Sequence, residues 1–150
     1  EGGFLLALWD IPGARRALTS AIRASLAKDA LVPLVASLTL TALCDLAEGS
    51  FESGLAAMND ADRFYRQISE GRGRNPWGPW VRLPLTLQEQ RWDEAREHLA
   101  GIPSLPWPAP HALVSLQIAE AAASEGPADL AAQVREELGC LLATRKTWRV

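Results

Sequence analysis

Hydrophobic positions recur along this chain with the spacing of amphipathic helices, and no stretch alternates with the period-2 pattern of a strand. Between Gly13 and Lys28, the apolar and small residues fall on one stripe, whereas the Arg and Lys residues fall outside it. The same pattern predicts a helix end over Phe4–Trp9 and further helices at about Ala30–Glu48, Phe51–Glu70, Trp80–Gln90, Trp92–Leu99, His111–Ser124 and Pro127–Arg145. The sequence therefore predicts an all-α fold.

Turn-forming residues separate the predicted helices. The segment Asp10–Gly13 predicts a turn before the first full helix, and Asp29 and Ser50 are candidate N-caps for the two helices that follow. Two longer connectors, 71–79 and 102–110, are rich in Gly and Pro and cannot continue a helix. The chain is thus divided into consecutive helices joined by short turns.

One spacing occurs three times along the chain. A bulky residue precedes a small one by three positions, a second bulky residue follows four positions later, and a small or aliphatic residue follows after three more. The three sets are Ile11, Ala14, Leu18 and Ala21; Phe51, Gly54, Met58 and Ala61; and Trp92, Ala95, Leu99 and Ile102, with starts 40 and 41 positions apart. A repeat of this length is typical of helical solenoids, in which each hairpin buries its apolar stripe against the next. The small residue in each set predicts a close approach of two helices.

This pattern resembles the second helix of a tetratricopeptide repeat, in which a Gly precedes an aromatic residue by two positions. Gly49 and Phe51 match that order, whereas Gln90 stands at the Gly position before Trp92. The repeat is also longer than the roughly 34 residues usual in the family, and Pro84 interrupts the equivalent first helix. The resemblance implies one helical-repeat domain over residues 1–150, built as a right-handed α-α superhelix of antiparallel hairpins.

Composition and charge exclude several classes of protein. Hydrophobic residues form 48% of the chain, too many for a disordered protein, and the net charge of −3 is unlike that of a nucleic-acid-binding domain. The uncharged stretch 30–44 is too short to span a bilayer, so no membrane contact is expected. We interpret Cys44 and Cys140 as buried, unpaired thiols of a cytoplasmic protein, with a disulfide as the alternative.

No pattern of catalytic or metal-binding residues is present in the sequence. His98 and His111 lack the spacing of a metal-binding helix and are expected at the surface or at a helix cap. The neighbouring carboxylates fall on polar helix faces among Arg residues, which indicates solvated surfaces rather than an acid–base pair. We therefore expect no enzyme, no metal site and no cofactor.

Arg and Trp residues in the connectors are the candidate binding residues. Arg72, Arg74, Trp77 and Trp80 lie in or next to the first connector, and guanidinium with indole is a composition enriched at binding surfaces. The alternative is that these Trp side chains fold back onto the apolar edge of a hairpin. Trp107 lies in the second connector, either within a polyproline-like ligand or as the anchor of a rigid linker.

The sequence is compatible with two functions. The first is a non-catalytic module whose concave face binds a protein or peptide. The second is an effector-sensing segment of a bacterial regulator, because long, degenerate repeats of this kind resemble the sensor segments of maltose-regulator-type proteins. The apolar residues Phe4–Trp9, which begin without a polar cap, suggest a piece of a longer protein, with self-association as an alternative way to cover them.

Overall fold

In a computed structural model of the chain, residues 10–102 and 110–145 are described, with the backbone alone at 110, 111, 113, 141, 144 and 145. This part of the chain contains seven helices and no strand, so the predicted all-α class is confirmed. The helices are α1 Ile11–Ala27, α2 Leu31–Ala47, α3 Phe51–Ile68, α4 Gly78–Gln88, α5 Trp92–Gly101, α6 Pro110–Ala123 and α7 Ala128–Arg145. The predicted helix end at Phe4–Trp9 lies outside the described residues.

The residues of the threefold spacing occupy equivalent places in α1, α3 and α5. Ile11, Phe51 and Trp92 are each the first residue of their helix. Ala14, Gly54 and Ala95 follow as the fourth residue in each case, and all three are buried. The bulky position four residues later is also buried each time, at Leu18, Met58 and Leu99. The pattern therefore marks the buried stripe of every second helix from α1 to α5.

Three of the short turns between helices share one backbone geometry. Asp29, Gly49 and Gln90 each adopt a positive φ, of 51°, 75° and 56°, two positions before the next helix begins. In each turn the amide of the residue after the left-handed one donates a hydrogen bond to the carbonyl five residues earlier, for example Ser50 N to Asp45 O at 2.8 Å. This pattern is a Schellman motif, which satisfies carbonyl groups at a helix end. The left-handed residue is a glycine only at Gly49.

The predicted helix starts need two corrections. Asp29 is not the N-cap of α2, because it is the left-handed residue of the turn and Ala30 holds the cap position. The segment Asp10–Gly13 is not a separate turn either, since α1 begins at Ile11. There the Asp10 carboxylate accepts a hydrogen bond from the Gly13 amide at 2.9 Å, so Asp10 caps the first turn of the helix.

Successive helices pack against one another as hairpins. Short turns join α1 to α2, α2 to α3, α4 to α5 and α6 to α7, and each of these pairs is in contact, as expected for antiparallel neighbours. The first helices of the three hairpins, α2, α4 and α6, also contact each other. The contact between α2 and α6 joins hairpins that are not adjacent along the chain. This part of the structure is therefore more closed than a strictly linear stack.

The apolar interior forms two clusters that share α4 and α6. Val81 and Leu85 of α4 join the cluster built by α1, α2 and α3. Trp80, Leu83 and Leu87 of the same helix join the cluster built by α5, α6 and α7. Because α4 is covered on two faces, it carries almost no polar stripe along its buried part. The apolar residues on both faces of α4 follow from this double coverage.

Pro84 lies inside α4 without ending the helix. A proline has no amide N–H, so it cannot donate to the carbonyl four residues earlier, which here belongs to Trp80. The hydroxyl of Ser115 on α6, which is fully buried, donates a hydrogen bond to that Trp80 carbonyl. The polar atom exposed by the proline is thus satisfied from a neighbouring helix. This contact ties the second hairpin to the third.

The two cysteines differ in their surroundings. Both are free, but Cys44 is buried in α2, whereas Cys140 is exposed on α7. Burial raises the pKa of the Cys44 thiol to about 11, so this thiol is unreactive at neutral pH. The prediction that both thiols are buried is wrong for Cys140, because the apolar face of α7 is carried by Leu130, Val134 and Leu138.

Candidate functional site

The four candidate residues around the first connector lie in different environments. Trp80 is 5% exposed and belongs to the second apolar cluster, and Trp77 packs half-buried against the first. Both indoles therefore fold back onto the hairpins, as the alternative interpretation expected. Arg72 is exposed beside Glu70, at 3.5 Å, whereas Arg74 lines a surface cleft. Trp107 lies outside the described residues.

An apolar groove crosses the first helices of the three hairpins. It has a volume of about 610 Å³ and lies between the C-terminal parts of α2, α4 and α6 and the first residues of α3 and α5. A second depression of about 270 Å³ adjoins it and shares Phe51 and Gln88. Phe51 and Leu55 are more than a third exposed there. Large apolar side chains open to solvent in a concave surface are typical of binding sites.

Trp92 forms one wall of this groove and is held by a close contact with Gly126. A Cβ atom at Gly126 would lie 2.8 Å from an atom of the Trp92 ring, so only a glycine allows the ring to rest on this backbone. Gly126 lies in the turn between α6 and α7. The contact therefore fixes the beginning of α5 against the third hairpin and shapes the groove.

The polar side chains that line the groove include a carboxylate and no described cation. Gln88, Gln90 and Gln117 supply amide groups, and Glu125 supplies a carboxylate. The adjoining depression adds two more carboxylates, from Glu52 and from Glu89, and the latter pairs with Arg91 at 2.9 Å. Neither the groove nor the adjoining depression is lined by a described Lys, Arg or His side chain. An occupant with an apolar centre and basic flanks would match this surface.

A separate cleft of about 410 Å³ opens near the other end of α3 and α4. It is formed by the C-terminal part of α3, the connector 69–77, the beginning of α4 and one face of α5. Its polar lining residues are Asp62, Tyr65, Arg66, Arg74, Asn75, Arg82, Glu94 and His98. No residue lines both this cleft and the apolar groove. The structure thus contains two separate openings with different chemistry.

Both carboxylates of this cleft already have cationic partners. Asp62 pairs with Arg82 at 2.5 Å, with both side chains partly buried. Glu94 pairs with Arg91, which lies outside the cleft. Arg66 and Arg74 have no carboxylate partner among the described residues, although Arg66 donates to the backbone carbonyl of Asp62 at 3.4 Å.

His98 lies in the same cleft, partly buried on α5. Its pKa is lowered from the ordinary value near 6.5, first by burial and then by the positive charge of Arg82; Glu94 and Glu97 oppose this shift, and Arg74 adds the smallest contribution to it. His98 is therefore neutral at physiological pH. Sequence reasoning expected a surface or capping histidine here and did not connect it with arginines 16 and 24 positions earlier.

The described lining residues of the cleft and of the groove differ from those of common catalytic and metal sites. Neither the cleft nor the groove is lined by a described Ser, Thr or Cys side chain that could act as a nucleophile. In the described part of the chain, no three His, Cys, Asp or Glu side chains are grouped so that they could hold a metal ion. Across the same residues, no helix has the length and apolar character needed to cross a bilayer.

Comparison with protein-family models, with curated proteins and with solved structures finds no match to this chain. The assignment of a function therefore depends on the two openings and their chemistry.

Proposed function

We propose that this chain is a non-catalytic helical-repeat module that binds a segment of a protein partner in the groove across α2, α4 and α6. The observation that supports this proposal is the exposure of Phe51, at 38%, at the edge of a 610 Å³ apolar groove. Helix pairs arranged as a right-handed superhelix present a concave face of this kind, built by the first helix of each hairpin. The free thiols are compatible with the reducing cytoplasm, where we place the module.

The chemistry of the groove defines the partner segment. Its apolar lining consists of Leu, Ile, Ala and aromatic side chains, so one or two large apolar residues of the partner would be buried there. The carboxylates at the rim favour Lys or Arg on either side of those residues and disfavour Asp or Glu. The three Gln side chains can hydrogen-bond to a peptide backbone.

A displayed library of random peptides provides the test. We expect selection against the full chain to enrich sequences with an apolar centre and basic flanks. Ala121→Arg places a long cation in the groove at an exposed position and should weaken binding of the enriched peptides at least tenfold. Ala132→Arg makes the same change at an exposed position of α7 outside the groove and should leave binding within twofold. Equal binding to both variants would rule out this groove as the peptide site.

A second candidate function is an effector-sensing segment of a regulator. The cleft lined by Arg74 and His98 supports it, because a partly enclosed opening with convergent polar groups suits a small molecule better than a peptide. Sensing by this domain would require that binding in the cleft change its stability or its contacts with neighbouring domains.

A further inference from the structure

The cleft between α3, the connector 69–77, α4 and α5 has an excess of positive charge. Three guanidinium groups line it, from Arg66, Arg74 and Arg82, against two carboxylates. Both carboxylates already have partners, as described above, so the exposed Arg66 and Arg74 form no ion pair with a described side chain. On a chain with a net charge of −3, this is a local reversal of sign.

Neutral hydrogen-bond donors accompany these cations. Asn75 is 5% exposed and lines the cleft, and its side-chain oxygen accepts the Trp77 amide at 3.1 Å. The amide nitrogen of the same side chain is buried without a hydrogen-bond partner. A buried donor without a partner is unfavourable, so it is rare in native structures unless a ligand or water completes it. Tyr65 adds a phenolic hydroxyl to the same lining.

The recognition chemistry follows from these groups. Guanidinium forms paired hydrogen bonds with carboxylate and phosphate oxygens, and amide and hydroxyl donors bind the remaining oxygens. A cation would be repelled by the unpaired arginines. The volume of about 410 Å³ falls within the range of about 300–1,000 Å³ for small-molecule sites and exceeds the size of a bare inorganic ion.

We propose that this cleft binds a small organic oxyanion, a phosphate ester or a carboxylate, with Arg74 and Arg66 as its charge partners and Asn75 as an additional donor. Arg82 is held in place by Asp62, so it presents a fixed guanidinium at the wall of the cleft. The neutral His98 can exchange a hydrogen bond with the ligand on the α5 side. This inference deepens the second candidate function and is independent of the peptide groove.

The test follows the imidazole signals of the full chain by NMR during titration with inorganic phosphate and, in a separate arm, with citrate. Sodium chloride at matched ionic strength is the reference, and His98→Gln assigns the His98 signal. We expect a saturable shift of that signal with at least one probe, and a rise in the pKa of His98, because a bound anion offsets the nearby positive charges.

Variants separate a specific site from general attraction of anions. Arg74→Gln and Arg66→Gln should each raise the dissociation constant at least tenfold. Arg63→Gln should change it less than twofold, because Arg63 is exposed on α3 outside the cleft. Circular dichroism and thermal melting without ligand establish that each variant is folded.

Each outcome decides the proposal. Saturation by phosphate alone identifies a phosphate ester as the ligand class, and saturation by citrate alone identifies a carboxylate. A linear drift with both probes, or an equal loss of affinity in Arg63→Gln, overturns the proposed site. Neither of those results would affect the peptide selection with Ala121→Arg, so failure of this inference and failure of the proposed function are distinguishable.

Discussion

Gly54 is a position where the backbones of α2 and α3 lie close together. A Cβ atom added there would lie 3.2 Å from the Ala42 carbonyl oxygen and 3.2 Å from a methyl carbon of Leu46. Ala42 belongs to the interior of α2 and cannot move without shifting that helix, and the Leu46 side chain is itself buried. Substitution of Gly54 therefore forces either the side chain of Leu46 or the spacing of two helices to change.

The magnitude follows from two opposing contributions. Replacing a helical glycine with alanine stabilises a helix by about 0.5–1 kcal/mol, because alanine loses less backbone entropy on folding. Overpacking a closely packed contact costs about 1–3 kcal/mol. We expect Gly54→Ala to lower the free energy of unfolding by about 0–2.5 kcal/mol and Gly54→Leu to lower it by about 3 kcal/mol or more.

Gly139 provides the matched control for this substitution. It lies in α7, is exposed, and has no atom within 4 Å of an added Cβ. Gly139→Ala therefore contains the helix-propensity gain without the steric cost and should stabilise by about 0.5–1 kcal/mol. The difference between the two alanine variants isolates the close approach at Gly54, at about 1–3 kcal/mol.

Urea unfolding followed by circular dichroism measures both variants under one set of conditions. At this chain length, each kcal/mol corresponds to about 2–4 °C in the melting temperature, so thermal scans provide a second measurement. If Gly54→Ala stabilised the protein as much as Gly139→Ala, α2 and α3 would not approach closely at this position. The interpretation of the small residues in the repeat would then be refuted.

Three further substitutions test other parts of the structure. Gln90→Gly should raise the free energy of unfolding by up to about 1 kcal/mol, since Gln90 has a left-handed φ of 56°; an unchanged urea midpoint would contradict this. Arg15→Gln should lower the free energy of unfolding by about 1–3 kcal/mol in the same assay, because it leaves the buried Asp45 carboxylate without its partner at 2.6 Å. The loss stays in this range because the Arg15 side chain is one-third exposed. The control Arg16→Gln should lower the free energy of unfolding by less than about 0.5 kcal/mol. Because the pKa of His98 is lowered in the folded state, the unfolded state binds more protons, so stability should fall as the pH drops below about 6.5. His98→Gln should reduce the slope of stability against pH between pH 7.5 and the folded pKa of His98. An unaltered slope would disprove this linkage.

Periodicity located the helices well because burial imposes it directly. The starts at Phe51 and Trp92 are predicted to the residue, since both open a buried stripe with fixed spacing. The start of α4 was less accurate. Pro79 made residue 80 look like the first helical position, whereas the helix begins at Gly78 and places Trp80 in its interior. The burial of Trp80 agrees with the interpretation in which its indole folds back onto a hairpin.

Turn conformations were visible only where a glycine marks them. Gly49 signals a left-handed residue, but Asp29 and Gln90 adopt the same conformation with side chains that do not require it. In those turns the hydrogen bonds of the Schellman motif and the packing of the flanking helices determine the backbone. A prediction from local residue preference therefore identified Asp29 as a cap, although the tertiary structure decides otherwise.

The cleft could not be predicted from the sequence because its residues are brought together only by packing. Asp62 and Arg82 are 20 positions apart on the polar faces of different helices, and each alone resembles a solvated surface residue. Arg74 was identified because it lies in a connector rich in Gly and Pro. Asn75, next to it, was overlooked, since its unpartnered amide becomes apparent only once its burial is known.

The two openings can be tested separately because they lie at opposite ends of α3 and α4. The cleft uses the end of α3 and the beginning of α4, whereas the groove uses the beginning of α3 and the end of α4. These are opposite ends of the same two helices, about 15 Å apart for an α4 of 11 residues. Substitutions at Arg74 or Ala121 therefore change one opening without contacting the other, and charge effects over this distance are screened at physiological salt. If Arg74→Gln weakened peptide binding as strongly as Ala121→Arg does, the two openings would have to be coupled through α4, and binding in the cleft would then regulate the groove.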